Sequence, residues 1–306
     1  MITSSATLTL PLIGNDGMAS LVEPWCELFC QSHADLAFDC ILEGSSTAMM
    51  ALAADASWLA PISRAPWAYE LAAFQQLKGY LPTAIYLGYT GHGPRAGAKS
   101  PPAIYAHHSN PLTGLTMAQV AAIFSTGSDH GSLHRWRQLG LEGKWQDRRI
   151  HLYGLHDDGK YATAFRQFHL GGRHYPVHYE ALPDRQAVVA AVADDPFGLG
   201  CVGWFNAVNY AGQVDIVPLA YRACEPYYTP DLQHVAQGLY PLSSLVAVYV
   251  DLPPGQPLDP LKKAWLEGAL SPEGQAIVAA QTHSAEGYVP LEAGRAKVER
   301  ERLALM

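Results

Sequence analysis

The pattern that most restricts what this chain can fold into is a repeated order of short apolar stretch, tight loop and helical stretch. Thr7 to Ile13 alternates and then runs apolar like a strand, Gly14-Asn15-Asp16-Gly17 reads as a turn, and Met18, Leu21, Val22, Trp25 and Phe29 recur at helical spacing. Leu36 to Leu42 is a second strand; Glu43-Gly44-Ser45-Ser46-Thr47 leads out of it into a small apolar helix from Ala48 to Ala54. Trp58 to Ile62 is a third, ending at Ser63-Arg64, with Pro66 and a helix from Tyr69 to Leu77 beyond it. Pro24 inside the first helix predicts a kink there or a start displaced towards it. Strands alternating with helices make an α/β fold of mostly parallel sheets flanked by helices.

The alternation continues to the C-terminus. Gly88 to Pro102 is rich in Gly, Pro and Ala and is the best boundary or exposed loop. Beyond it Ile104 to His107 is strand-like, and Thr116 caps a helix from Met117 to Phe124. Further strands are expected at Ile150 to Tyr153, Gly200 to Trp204, Val214 to Pro218 and Ser244 to Val250, with helices near Tyr161 to Leu170 and Arg185 to Ala193. After Asp259, Pro260 opens a helix through Leu270, Ser271-Pro272-Glu273 opens another, and Arg295 to Arg302 is a solvated helical face.

Length and charge then exclude several functions. A chain of 306 residues is normal for two domains, and 49% hydrophobic against 16% charged residues is a globular composition. A formal net charge of −8 argues against nucleic acid as a partner, because neutralising phosphates needs a basic excess. The longest apolar runs fall far short of the roughly 20 residues of a membrane-spanning helix. Met1 to Ser5 lacks the basic and apolar regions of a secretory signal. The five cysteines, Cys26, Cys30, Cys40, Cys201 and Cys224, form no Cys-x-x-Cys pair and read as buried thiols, with at least one unpaired in a monomer.

Ligands of open α/β sheets settle at the carboxyl ends of strands, where helix N-termini aim unpaired amides. Asn15-Asp16-Gly17, Gly44-Ser45-Ser46-Thr47 and Ser63-Arg64 fall at three such ends and supply hydroxyls, amides and one guanidinium, a cage for a small oxyanion. The competing reading is ordinary helix capping by the same residue types. His107-His108 and His156 next to Asp157 and Asp158 invite a metal, but the two adjacent histidines should point to opposite faces of a strand and no zinc spacing supports them. No metal or cofactor is expected. Gly198-Leu199-Gly200-Cys201-Val202-Gly203 matches the dinucleotide glycine pattern by letter only, since it lies within a strand rather than between strand and helix. Trp204 is the aromatic best placed to modify a site, the others serving packing.

The ordered set Ile13-Gly14-Asn15-Asp16-Gly17-Met18, Glu43-Gly44-Ser45-Ser46-Thr47, Pro61-Ile62-Ser63-Arg64, Asn110-Pro111-Leu112-Thr113-Gly114-Leu115-Thr116 and Tyr240-Pro241-Leu242-Ser243 resembles the phosphate-binding proteins of ABC transporters over nearly the whole chain. Leu270-Ser271-Pro272-Glu273-Gly274-Gln275 and Gly287-Tyr288-Val289-Pro290-Leu291 extend the match. The resemblance implies a two-lobed, hinge-linked periplasmic-binding-protein fold of type II-like form. The first lobe would be discontinuous, residues 1–88 and 240–306, with residues 89–239 as the second.

It also implies a non-catalytic, monomeric periplasmic receptor that passes a phosphate-like oxyanion to a membrane permease. Its implied contacts are Asn15, Asp16, Gly17, Gly44, Ser45, Ser46, Thr47, Ser63 and Arg64 from one lobe and Asp158, Gly159 and Lys160 from the other. Where the family shows an arginine followed by Ser-Gly-Thr, this chain reads Leu155-His156-Asp157-Asp158-Gly159-Lys160-Tyr161, with Leu155 at the arginine. Two carboxylates turned inward would repel an anion by on the order of 4 kcal/mol each at about 4 Å and intermediate dielectric. That departure keeps a second expectation open: a divergent binding protein that has lost phosphate and serves adhesion, signalling or an organic ligand.

Overall fold

The computed structural model describes residues 7–203 and 207–306. Strand β1 (Leu8–Gly14) leads through a short 3-10 turn into helix α1 (Ala19–Cys30). Strand β2 (Leu36–Leu42) leads into α2 (Ser45–Ala53), and β3 (Ala60–Ile62) into α3 (Ala68–Lys78). Helix α1 continues through Pro24, and its apolar stripe of Leu21, Val22, Trp25 and Phe29 is buried. Strand β4 (Thr83–Thr90), which the sequence reading placed partly in a loop, then carries the chain out of its first compact unit after Thr90.

The second unit, Gly91–Ser243, contains β5 (Ala103–His107), β6 (Leu115–Thr116), α4 (Met117–Phe124), β7 (His151–Leu155), α5 (Tyr161–His169) and β8 (Tyr179–Leu182). It continues with α6 (Arg185–Asp194), β9 (Gly198–Val202), β10 (Val214–Ile216), β11 (Leu219–Ala220) and α7 (Leu232–Ala236). Thr116 caps α4 reciprocally: its Oγ1 accepts from the Gln119 amide at 3.2 Å, and its own amide donates to Gln119 Oε1 at 2.9 Å. The central sheet runs β10-β5-β9-β7-β8, and α6 lays Val188, Val189 and Val192 against it. Strand β9 is wholly buried, and a Cβ on Gly200 would sit 2.8 Å from Val192 Cγ2. Gly200 therefore serves helix–sheet contact, and Gly198 makes room for the Tyr153 ring.

The chain returns at Ser244 with β12 (Ser244–Val250), followed by α8 (Pro260–Leu270), α9 (Pro272–Ala280), β13 (Val289–Pro290) and α10 (Ala293–Ala304). These elements complete the first unit. Trp25 of α1 meets Trp265 of α8 edge to face at 5.8 Å and donates its indole N–H to the Gly274 carbonyl at 3.0 Å. The crossings fall after Thr90 and before Ser244, where sequence placed them at 88/89 and 239/240.

The sheets are mixed where mostly parallel ones were expected. Pairs β1-β2, β7-β8, β7-β9 and β6-β11 are parallel, but β13-β4-β12-β3 is antiparallel throughout and β5 is antiparallel to both its neighbours. The reason lies in the connectivity. Strand β4 takes the chain out and β12 brings it back, so Thr90 pairs with Ser244 and the two strands must run in opposite directions. Among the described residues no helix is long and apolar enough to cross a membrane.

Candidate functional site

Three strand ends in the first unit build one polar cluster. The parallel register of β1 and β2 sets Gly14 beside Leu42, so both chains leave the sheet at the same edge. Residues 58–61 are tied to β1 by Trp58 N–H to Pro11 O at 2.8 Å and Asn15 N–H to Pro61 O at 3.0 Å. Gly14 makes that approach possible, since a Cβ there would lie 2.4 Å from Pro61 Cγ. Gly44, at φ 146° and ψ 155°, turns β2 into α2 in a conformation reserved for glycine, and its amide donates to Gly14 O at 3.0 Å.

Asn15 occupies the centre. Its Nδ2 donates to Ser45 Oγ at 2.8 Å and to Asp16 Oδ1 at 3.2 Å, while Ser63 Oγ donates to its Oδ1 at 3.0 Å. Ser45 Oγ accepts in this arrangement, which leaves its own hydrogen for a ligand oxygen. Gly44 brings no side chain to cap α2, so the amides of Ser45 and Ser46 have no side-chain cap, while the Thr47 amide donates to Gly44 O at 3.2 Å. Thr47 Oγ1 is turned back onto Gly44 O at 2.8 Å. Gly17 lies in the 3-10 turn, where its carbonyl accepts from Tyr288 OH at 2.6 Å, and Asp16 beside it is exposed.

Arg64 has a partner that the sequence reading missed. Its NH2 and NH1 reach the two carboxylate oxygens of Glu70 at 2.7 and 2.9 Å, and NH1 also donates to Ala65 O at 2.9 Å. The guanidinium lies 5.4 Å from the Trp67 ring centre. Glu70 is 1% exposed and accepts from the Trp67 amide as well, at 2.7 Å. This bidentate pair fixes the guanidinium and balances its charge, leaving Nε–H and the second NH2 hydrogen as the donors Arg64 can offer. Glu70 sits at the third position of α3, where a carboxylate commonly reaches back to the first amide. That was the signal available for it.

The other predicted contacts follow β7 in the second unit. Asp158, Gly159 and Lys160 are exposed and precede α5, with Gly159 at φ 87° and Lys160 Nζ 3.5 Å from Asp158 Oδ2. Asp157 is tied to helix α5, its carboxylate held by Arg166 Nε at 2.8 Å and by the Thr163 hydroxyl, which also accepts from the Gly159 amide at 2.8 Å. Leu155 contributes its carbonyl, accepting from Tyr179 OH at 2.8 Å. Trp204 lies outside the described residues.

The histidines behave differently from expectation. His107 ends β5 and His108 lies beyond the strand, so the alternation of faces no longer holds and their rings approach to 4.2 Å. Their Nδ1 atoms are engaged with Ser109 Oγ and Gln213 O. Burial together with the His108 charge lowers the His107 pKa. Among the described residues no group of three or more His, Cys, Asp or Glu is placed to hold a metal ion.

Comparison with known proteins sets this geometry in context. No family model matches the chain. The phosphate-binding protein PstS of Pseudomonas aeruginosa is 32% identical over 306 residues, covering 99% of this chain and 89% of that protein. Among solved structures, PstS from Borrelia burgdorferi aligns with a TM-score of 0.64 at 14% identity, covering 94% of this chain and all of that one. An ABC-type phosphate transport receptor from Vibrio cholerae gives 0.56 at 15% identity, with 92% and 99% covered. These two likenesses concern the fold.

Proposed function

The chain belongs to the PstS family of phosphate-binding proteins, and from that premise we propose that it is the phosphate receptor of an ABC transporter, a periplasmic binding protein without catalytic activity. The observation that carries this reading is the 32% identity to a phosphate-binding protein across 99% of the chain. The polar cluster supports it chemically. A desolvated oxyanion needs short donors, and the Ser45 hydroxyl, oriented by Asn15, supplies one beside the uncapped first amides of α2, while Asn15 and Ser63 hold the arrangement in place. Arg64, fixed and balanced in charge by Glu70, adds directed N–H donors without mobility.

The altered segment of the second unit is compatible with an anion. Asp157 is neutralised against Arg166, and Lys160 stands beside Asp158, which offsets the two added carboxylates without replacing the arginine absent at Leu155. We therefore retain Asp158, Gly159 and Lys160 as contact candidates, together with Asp16, Gly17, Ser46 and Thr47 around the central cluster.

Calorimetric titration of the anion-free protein with phosphate, then sulfate, arsenate and molybdate, tests the proposal. One-to-one phosphate binding that Ser45→Ala weakens by about tenfold, the loss of one good hydrogen bond, is the expected result. Silence with all four anions would overturn it.

A further inference from the structure

The exposed connection between β7 and α5, which carries Asp158, Gly159 and Lys160, is gripped at three points by one later segment, residues 172–179. Tyr179 OH donates to Leu155 O at 2.8 Å, where β7 ends, and Tyr175 OH donates to Ala162 O at 2.7 Å, in the first turn of α5. The two rings stack with centres 4.1 Å apart and planes within 18°, so each limits the freedom of the other. Arg166 makes the third point, its Nε donating to Asp157 Oδ2 at 2.8 Å and its NH1 to Gly172 O at 2.6 Å. The sequence of β7 is fitted to this grip. Tyr179 opens β8 opposite Leu152, and its phenol crosses Gly154 to reach the Leu155 carbonyl. A Cβ on Gly154 would overlap the Tyr179 hydroxyl, which explains a glycine inside a strand where it otherwise only weakens pairing.

We propose that Tyr175 and Tyr179 are positioning residues for the anion contacts of the second unit: the stacked pair holds Leu155 and Ala162, the two ends of the connection, so that Gly159 and Lys160 stand in one arrangement before a ligand arrives. The inference rests on the receptor reading above, since what the pair positions is the anion contacts. Its physical content is preorganisation. A connection loose in the free protein has to be ordered on binding, and apparent affinity falls with the fraction of molecules that hold it in the competent arrangement. The middle of the connection is tied down as well, the Gly159 amide donating to Thr163 Oγ1 at 2.8 Å, so fixing the ends is enough to fix the whole. The pair acts through the backbone it holds.

Tyr175→Phe combined with Tyr179→Phe keeps both rings and removes both donors. Amide hydrogen exchange of the anion-free protein, read by mass spectrometry, is set beside calorimetric titration with phosphate. In the double variant, exchange across residues 156–160 should rise roughly tenfold while that of β5, β7 and β9 stays unchanged, and phosphate affinity should fall by about three- to tenfold. Lys160→Ala, which removes a candidate contact and leaves the grip intact, should weaken phosphate binding with exchange at 156–160 unaltered. Unchanged exchange at 156–160 in the double variant would overturn the proposal, and so would a rise spread over the whole second unit, the mark of packing alone. A local rise with phosphate affinity unchanged would also sink the positioning role, with the receptor reading left standing on the binding of the parent protein. A parent protein that binds no phosphate overturns that reading and this inference together.

Discussion

Asn15 acts as a bracket, because one carboxamide engages the hydroxyls of two separate strand ends. Asn15→Ala should weaken phosphate binding by roughly tenfold, the effect of releasing Ser45 and Ser63 from fixed rotamers, and Asn15→Asp should weaken it further by adding a carboxylate. Titration calorimetry at one ionic strength compares them. Arg64 requires a different test, since its removal leaves Glu70 buried and unpaired. Arg64→Ala should cost about 3 kcal/mol in urea unfolding, and Arg64→Met with Glu70→Leu should recover most of that loss. If the single variant is as stable as the parent, the pair does not hold the turn together. Asn15, Ser45 and Ser63 were legible in the sequence because a polar residue just past a strand is a local signal. Glu70 was not recognised, because its pairing with Arg64 depends on how the chain turns around Pro66, which no spacing encodes.

At the scale of elements, helix α2 owes its start without a side-chain cap to Gly44. Gly44→Ala forces a side chain into φ 146° and should destabilise the protein by about 1–3 kcal/mol while weakening phosphate binding; urea unfolding and titration read the two effects. Helix α5 carries a pH signature. His169 ends this helix with its ring 5.3 Å from Phe165, and burial lowers its pKa from 6.5 to about 4, although the residue as a whole retains partial exposure. A histidine held neutral in the fold protonates more readily when unfolded. Its contribution is therefore complete above pH 6.5 and lost as pH falls towards 4, by at most about 3 kcal/mol. His169→Gln should flatten the stability curve across that window; an unchanged slope would assign it to other groups. The helices were legible from their caps and periodicity. Strand β4 was less so: its Gly88 and Tyr89 looked like the start of a glycine-rich loop, and only pairing with β12 and β13 makes them strand.

For the whole molecule, the division into a first unit made from both ends of the chain became visible in sequence only through family motifs, since nothing local in α8 says that Trp265 will meet Trp25. Net charge, by contrast, is read directly from sequence and bears on how an anion arrives. At −8 the protein repels phosphate at long range, while the cations proposed as contacts, Arg64 and Lys160, each lie beside a carboxylate, Glu70 and Asp158, and would attract it only nearby. Which effect wins depends on screening. The Debye length shrinks from about 30 Å at 0.01 M to about 8 Å at 0.15 M salt, so added salt removes the distant repulsion before the local attraction. Stopped-flow association rates should accordingly stay level or rise up to about threefold across that range, opposite to a receptor that steers its ligand by a positive field. A steep fall with salt would mean that the local cations dominate, and Lys160→Ala should then remove the salt dependence. A flat or rising profile would favour selectivity by short-range donors such as the Ser45 hydroxyl that Asn15 orients, where discrimination among oxyanions rests on hydrogen-bond geometry.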